Sequence, residues 1–187
     1  MANRALTRTL AFTILIAPAP LAAQTIELAP FVGYRVGDLE SSQSLGMAVD
    51  VPIAGGMQVE GIFSHQSHGP YSAVDHWQGG ALQEYGDGPV RPFLSGLVGI
   101  TRYAIQADNE IRFSVAAGGG VKVFPTPRVG VRLEARVFST VLDAETTSGV
   151  CGGRGCLVGL HLDVAWQLEV TAGVVVRLGP ERPRLAQ

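Results

Sequence analysis

The chain reads as an all-β protein, an eight-stranded antiparallel up-and-down transmembrane β-barrel with a polar interior. Three features lead there. Apolar and polar residues alternate with period two through most of the chain. Clusters of glycine and proline cut that alternation into eight segments. The polar face of these segments spaces its arginines and carboxylates with Gly, Ala and Ser. Successive side chains on a strand point to opposite faces, so each segment has one greasy face and one charged face.

Composition and the N-terminus set the class. Of 187 residues, 47% are hydrophobic and only 16% charged, a charge-poor balance for a water-soluble domain. Residues 1–23 hold Arg4 and Arg8, an apolar run from Leu10 to Ala17, then Pro18, Pro20 and Leu21-Ala22-Ala23. This is the order of a secretory signal peptide, with cleavage expected after Ala23. The barrel is expected over 24–179, followed by a short polar C-terminal tail, 180–187. No stretch reaches the ~20 unbroken apolar residues that a spanning helix needs. Losing Arg4 and Arg8 takes the net charge from −2 to −4, which offers no basic surface to nucleic acid.

Each strand follows from its own pattern. The first is expected over Thr25–Val36, with Ile26, Leu28, Val32 and Tyr34 on one parity. Leu45–Ile53 sets Leu45, Met47, Val49, Val51 and Ile53 against Gly46, Ala48 and Asp50. The turn Ala54-Gly55-Gly56 leads to Met57–Ser64, where Met57, Val59 and Phe63 oppose Gln58 and Glu60. Ser72–Tyr85 is the least regular strand, and Gly86-Asp87-Gly88-Pro89 ends it with a strong turn signal. Val90–Tyr103 is the fifth. Ile111–Val123 and Val129–Val141 form a hairpin around Phe124-Pro125-Thr126-Pro127, with Arg112, Lys122, Arg128, Arg132, Glu134 and Arg136 on the polar parity. The eighth, Val158–Leu178, alternates most cleanly, with Leu160 to Val176 against His161, Asp163, Gln167, Glu169 and Arg177.

The connections alternate too. Those at 54–56, 86–89 and 124–127 are short, whereas 65–71, 104–110 and 142–157 are longer loops. Bacterial outer-membrane barrels have this asymmetry, with short periplasmic turns and longer external loops. Cys151 and Cys156 bracket Gly152-Gly153-Arg154-Gly155 in the longest loop. In an oxidising compartment the pair is expected as a disulfide, and no third or fourth ligand nearby supports a metal instead.

A soluble barrel or sandwich would turn the same alternation inside out. Against it, the polar parity is crowded with small residues, which an eight-stranded lumen needs between its long side chains and a solvated face does not. One lysine beside thirteen arginines is also unusual for a water-facing strand surface. Finally, the charges on that parity balance. Arg112, Arg132, Glu134, Arg136, Asp163 and Glu169 are expected as lumen ion pairs, because charges away from bulk water must be paired and hydrogen-bonded. Tyr34, Tyr85, Tyr103 and Phe124, near strand ends, are expected in the interfacial aromatic girdles.

The signal peptide, the eight alternating strands and the glycine turns together resemble the OmpA-transmembrane-like family of small outer-membrane barrels. So do Gly79-Gly80-Ala81-Leu82-Gln83-Glu84-Tyr85 and Arg91-Pro92-Phe93-Leu94-Ser95-Gly96-Leu97-Val98-Gly99. The resemblance covers nearly all of the mature chain. It implies an outer-membrane location reached through the periplasm, with contacts to outer-membrane lipid, the barrel-assembly machinery and an extracellular partner through the loops. It implies no single activity, since members serve as scaffolds, adhesins or small pores. Two features depart from the pattern. The last strand ends Val176-Arg177-Leu178-Gly179 without a terminal aromatic, and Pro30 and Pro52 fall within or at the end of strands.

Little in the sequence points to chemistry. His65, His68, His76 and His161 all fall at the expected external end, but their spacing does not assign a metal site. His65-Gln66-Ser67 resembles the His-x-Ser arrangement of the outer-membrane lipid A deacylase, yet spacing supplies no acid to orient the histidine. No cofactor is expected. The reading is a non-enzymatic outer-membrane protein, an envelope scaffold or loop-mediated binding and adhesion protein. The alternatives are a narrow pore, a lipid-acting outer-membrane enzyme and a secreted soluble lipocalin-like ligand-binding barrel.

Overall fold

The computed structural model describes residues 25–38, 41–67, 72–105, 108–152 and 155–179. The expected signal peptide and C-terminal tail lie outside these residues. Eight antiparallel strands close into one barrel in sequence order, with the first pairing the last. They are β1 (Ile26–Gly37), β2 (Ser42–Ala54), β3 (Met57–Ser67), β4 (Ser72–Glu84), β5 (Val90–Ile105), β6 (Asp108–Val123), β7 (Val129–Gly152) and β8 (Gly155–Leu178). The fold is therefore the transmembrane barrel that the alternation predicts.

Orientation is settled by which parity is covered. Val129, Leu133 and Val170 stand 44%, 49% and 56% exposed on the outer wall, while Arg132, Glu134 and Glu169 are at most 5% exposed inside. A water-filled exterior would penalise that arrangement, and a hydrocarbon one favours it. Closure follows from the same medium. Hydrocarbon supplies no hydrogen bonds, so a strand edge left open costs free energy at every residue.

Two sequence features bend the ladder without opening it. Pro30 has no N–H, and β1 makes no pairs to β8 at residues 29 and 30, resuming at Phe31 opposite Gly173. At Pro52 the β2–β3 register shifts before the turn at Gly55 and Gly56, whose positive φ values of 59° and 80° suit glycine.

The longer connections differ from the expectation. β5 and β6 run on to pair Ile105 with Asp108, so the loop expected over 104–110 is largely strand. The loop expected over 142–157 is likewise a paired hairpin, in which β7 and β8 extend to Gly152 and Gly155. Its physical basis is β-branched and apolar content: Thr146, Thr147 and Val150 face Leu160, Gly159 and Leu157, and two register shifts absorb the uneven lengths. The wall is thus taller along β5–β8 than along β1–β4.

The outward position of Val170 carries a prediction. Val170→Arg is expected to lower the unfolding free energy of the vesicle-inserted protein by about 2–4 kcal/mol, read from urea titration, as for cations near the bilayer midplane.

Candidate functional site: the charged lumen and the outer wall

Six cations and six carboxylates on inward positions form one connected network. Lys122 Nζ on β6 reaches across the lumen to Glu27 on β1 at 2.6 Å, Asp50 on β2 at 2.8 Å and Glu84 on β4 at 2.9 Å. Arg132 on β7 shares Asp50 at 3.0 Å, holds Glu134 at 2.8 Å and also donates to Glu60 on β3. Arg136 continues the chain to Glu134 at 2.5 Å and Glu169 at 3.7 Å, and Arg35 closes on Glu169 at 2.9 Å. At the short-turn end Arg177 joins Glu27 at 2.7 Å and Arg91 joins Glu84 at 3.4 Å.

Aromatic rings fill the space between these charges. The guanidinium of Arg132 lies 4.6 Å from the Phe93 ring centroid, that of Arg35 3.9 Å from Phe138, and that of Arg177 3.4 Å from Phe124. A cation stacked on a ring in a desolvated site is held more strongly than one in water. Small residues make room for them. A Cβ on Gly120 would collide with the backbone of β7 and meet the Phe93 ring at 2.9 Å. One on Gly130 would press on Phe124 at 2.6 Å.

Nearer the loop end, His76 is fully buried beside Arg35 and Thr101. Arginine can only donate, so His76 Nε2 accepts from Arg35, and its Nδ1–H donates to Thr101 Oγ1 at 2.9 Å. His76 thus lies towards the expected external end, but its parity turns it inward. His65 faces outward on β3, so the wall separates the two.

Of the expected lumen residues, Arg132, Glu134, Arg136 and Glu169 lie in the buried network. Arg112 stands nearer the mouth, its side chain 32% exposed and paired with Glu110. Asp163 is a correction. It is exposed rather than buried in the network, opposite Asp143 where the β7–β8 register shifts. Tyr103 and Phe124 are corrections too: both are buried inside, while Tyr34 and Tyr85 are exposed. Phe31, Phe93 and Phe138 were not singled out as lumen residues from the sequence, although parity with Glu27 and Arg35, with Arg91 and with Arg136 marks them as inward, and Arg177 follows the polar parity of its strand into the network.

Cys151 lies opposite Cys156 in the β7–β8 register. Their side chains, and those of His68 and His161, are outside the described residues.

The outer wall carries its own polar group. His65, Asp75 and Arg102 are cross-strand neighbours on β3, β4 and β5. His65 Nδ1 bonds Asp75 Oδ1 at 2.7 Å, and Arg102 lies 3.8 Å from Asp75 Oδ2. The next outward row towards the short turns is Phe63, Trp77, Ile100 and Phe113, with the Phe63 and Trp77 ring centroids 4.3 Å apart.

The comparisons with known proteins bear on the fold. Neisserial surface protein A superposes with a TM-score of 0.58 at 14% identity, covering 83% of this chain and 97% of its own. Outer membrane protein H (OprH) of P. aeruginosa gives 0.53 at 12% identity, covering 84% and 100%. The N-terminal β-barrel domain of Pseudomonas aeruginosa OprF gives 0.50 at 11% identity, covering 81% and 96%. The fold is that of the small outer-membrane β-barrels. No protein-family model and no characterised relative matches the chain by sequence.

The network makes a stability prediction. Lys122→Met leaves Glu27, Asp50 and Glu84 facing one another without their shared cation. The expected loss is about 3–5 kcal/mol in a urea titration, the cost of taking one partner out of a buried ion cluster, although each carboxylate keeps one arginine.

Proposed function

We propose that this protein is a sealed outer-membrane barrel, a rigid envelope scaffold whose work is done at its external end and outer wall rather than through its lumen. It reaches the bacterial outer membrane by export through the periplasm, with the assembly machinery and outer-membrane lipid as its partners. The external hairpins present it to an extracellular partner. The observation that carries this reading is the lumen itself: Arg35, Lys122, Arg136, Phe93 and Phe138, all fully buried, fill the cross-section. Eight strands enclose only enough space for side chains, and here those side chains are tied across the lumen by charge.

The tall β7–β8 hairpin supports a binding role, since it carries main-chain ladders beyond the barrel wall. We place a Cys151–Cys156 disulfide at its tip. Directly opposed residues of an antiparallel pair have Cα atoms roughly 4.5–5.5 Å apart, within disulfide range. Protein isolated from the oxidising envelope is expected to take up no thiol reagent until it is reduced.

Conductance decides between scaffold and pore. In planar bilayers the folded protein is expected to give no single-channel steps, and Lys122→Ala with Arg132→Ala is expected to open a conducting path. Steps from the unaltered protein would overturn the reading.

A further inference from the structure

We propose that His76 is an acid-sensitive latch: a proton on its Nε2 releases Arg35, frees the bases of two external connections, and so makes what the barrel presents outside depend on pH. The latch joins strands that share no ladder. Arg35 is on β1 and His76 on β4, with β2 and β3 between them in the sheet. Arg35 Nη1 donates to His76 Nε2 across the lumen. Arg35 stands two residues before the end of β1, and His76 four residues after the start of β4. Together they tie the strand entering the β1–β2 connection to the strand leaving the β3–β4 connection.

The bond holds only while the ring is neutral. Nδ1–H donates to Thr101 Oγ1 on β5, 2.9 Å away, so Nε2 keeps the lone pair and accepts the Arg35 N–H. A guanidinium has only donors, and so has an imidazolium. A proton arriving at Nε2 therefore sets N–H against N–H and positive charge against positive charge. Both side chains are fully buried, so bulk water does not screen the repulsion.

The surroundings offer the new charge no counterion. On β7, Phe138 lies between cations: its ring centroid is 3.9 Å from the Arg35 guanidinium, 5.8 Å from that of Arg136 and 5.2 Å from the imidazole. On β8, Glu169 is already bound by Arg35 at 2.9 Å and by Arg136 at 3.7 Å. The β3 neighbour of His76 is Ser64, which accepts from Arg35 at 3.4 Å. On β5, Thr101 and Tyr103 carry no charge near neutral pH. Arg112 on β6, opposite Thr101, is a further cation and is held by Glu110 at the mouth.

The sign of the pH effect follows. An unfolded chain protonates histidine freely below about 6.5, whereas the folded barrel must give up the latch to do so. The latch is therefore intact above that pH and is lost as pH falls through it. Deeper in the lumen, the ties of Lys122 and Arg132 to Asp50 involve no imidazole and hold the short-turn end through the same range. What acid changes outside rests on the external hairpins being the binding end, whereas the latch itself is tested without a partner.

The test uses the full mature protein, untagged, refolded in detergent and titrated with urea at pH 7.5 and 5.5. The folding equilibrium constant is expected to fall about ten-fold at the lower pH, the proton linkage of one histidine kept neutral by folding. Carboxylates, with ordinary values near 4, contribute little in that window. His76→Gln is expected to remove the fall, since its amide oxygen accepts from Arg35 at either pH. The combined variant His65→Gln, His68→Gln and His161→Gln retains His76 as its one histidine and is expected to keep the full fall. Hydrogen exchange in the unaltered protein, corrected for the intrinsic pH dependence of amides, is expected to rise at pH 5.5 in residues 35–37 and 72–76 and to stay unchanged around Lys122 and Arg132. A fall that persists in folded His76→Gln overturns the proposal, as does one that disappears with the other three histidines. Exchange that rises equally along the barrel, or nowhere, overturns it as well.

Discussion

An eight-stranded barrel encloses room for side chains and for little else, and the rest of this molecule answers to that limit. Charges placed inside are cut off from bulk water, so each needs partners with good geometry. Asp50 shows the solution. Its one carboxylate takes both Lys122 from β6 and Arg132 from β7, and so couples the charges near the short turns to those deeper in the lumen. The cross-lumen ties of Lys122 and Arg132 act on walls that share no backbone hydrogen bonds. The ladder alone fixes each strand to two neighbours; the charges fix it to the far side.

Volume is shared in the same way. Phe93 and Phe138 use space that water would otherwise occupy, and their faces stack on the guanidinium groups of Arg132 and Arg35, which also bond the carboxylates. Such rings need bare backbone beside them. Gly120 stands where a side chain would displace Phe93, and Gly46 where one would displace Phe31. The glycines that look like weak points in a strand are thus the other half of the aromatic plug.

Outside, the chain meets a different solvent and has a different economy of polar groups. Most outward positions are aliphatic or aromatic, and the exceptions gather near the mouth, where His65, Asp75 and Arg102 sit one row beyond Trp77. The barrel therefore has an axis occupied by paired charges and aromatic rings and a chemically marked perimeter. A rigid interior suits the perimeter, since groups on adjacent strands keep their spacing only if the sheet beneath them does not flex.

Parity was legible from the residues alone. Which face of each strand is greasy, that eight such strands must close, and that Arg132, Glu134, Arg136 and Glu169 turn inward all follow from a period of two and a solvent without hydrogen bonds. That information is local, so it ends where pairing depends on closure. Arg35 and Glu169 are 134 residues apart and meet only because β1 closes on β8 in one register. His65 finds Asp75 only through the β3–β4 register. The same limit explains Asp163, which has inward parity yet is exposed, and the β7–β8 hairpin, where polar β-branched residues look like a loop until paired. Strand direction belongs to the sequence, and the partner across the lumen belongs to the closed barrel, because only closure brings distant strands to a common height.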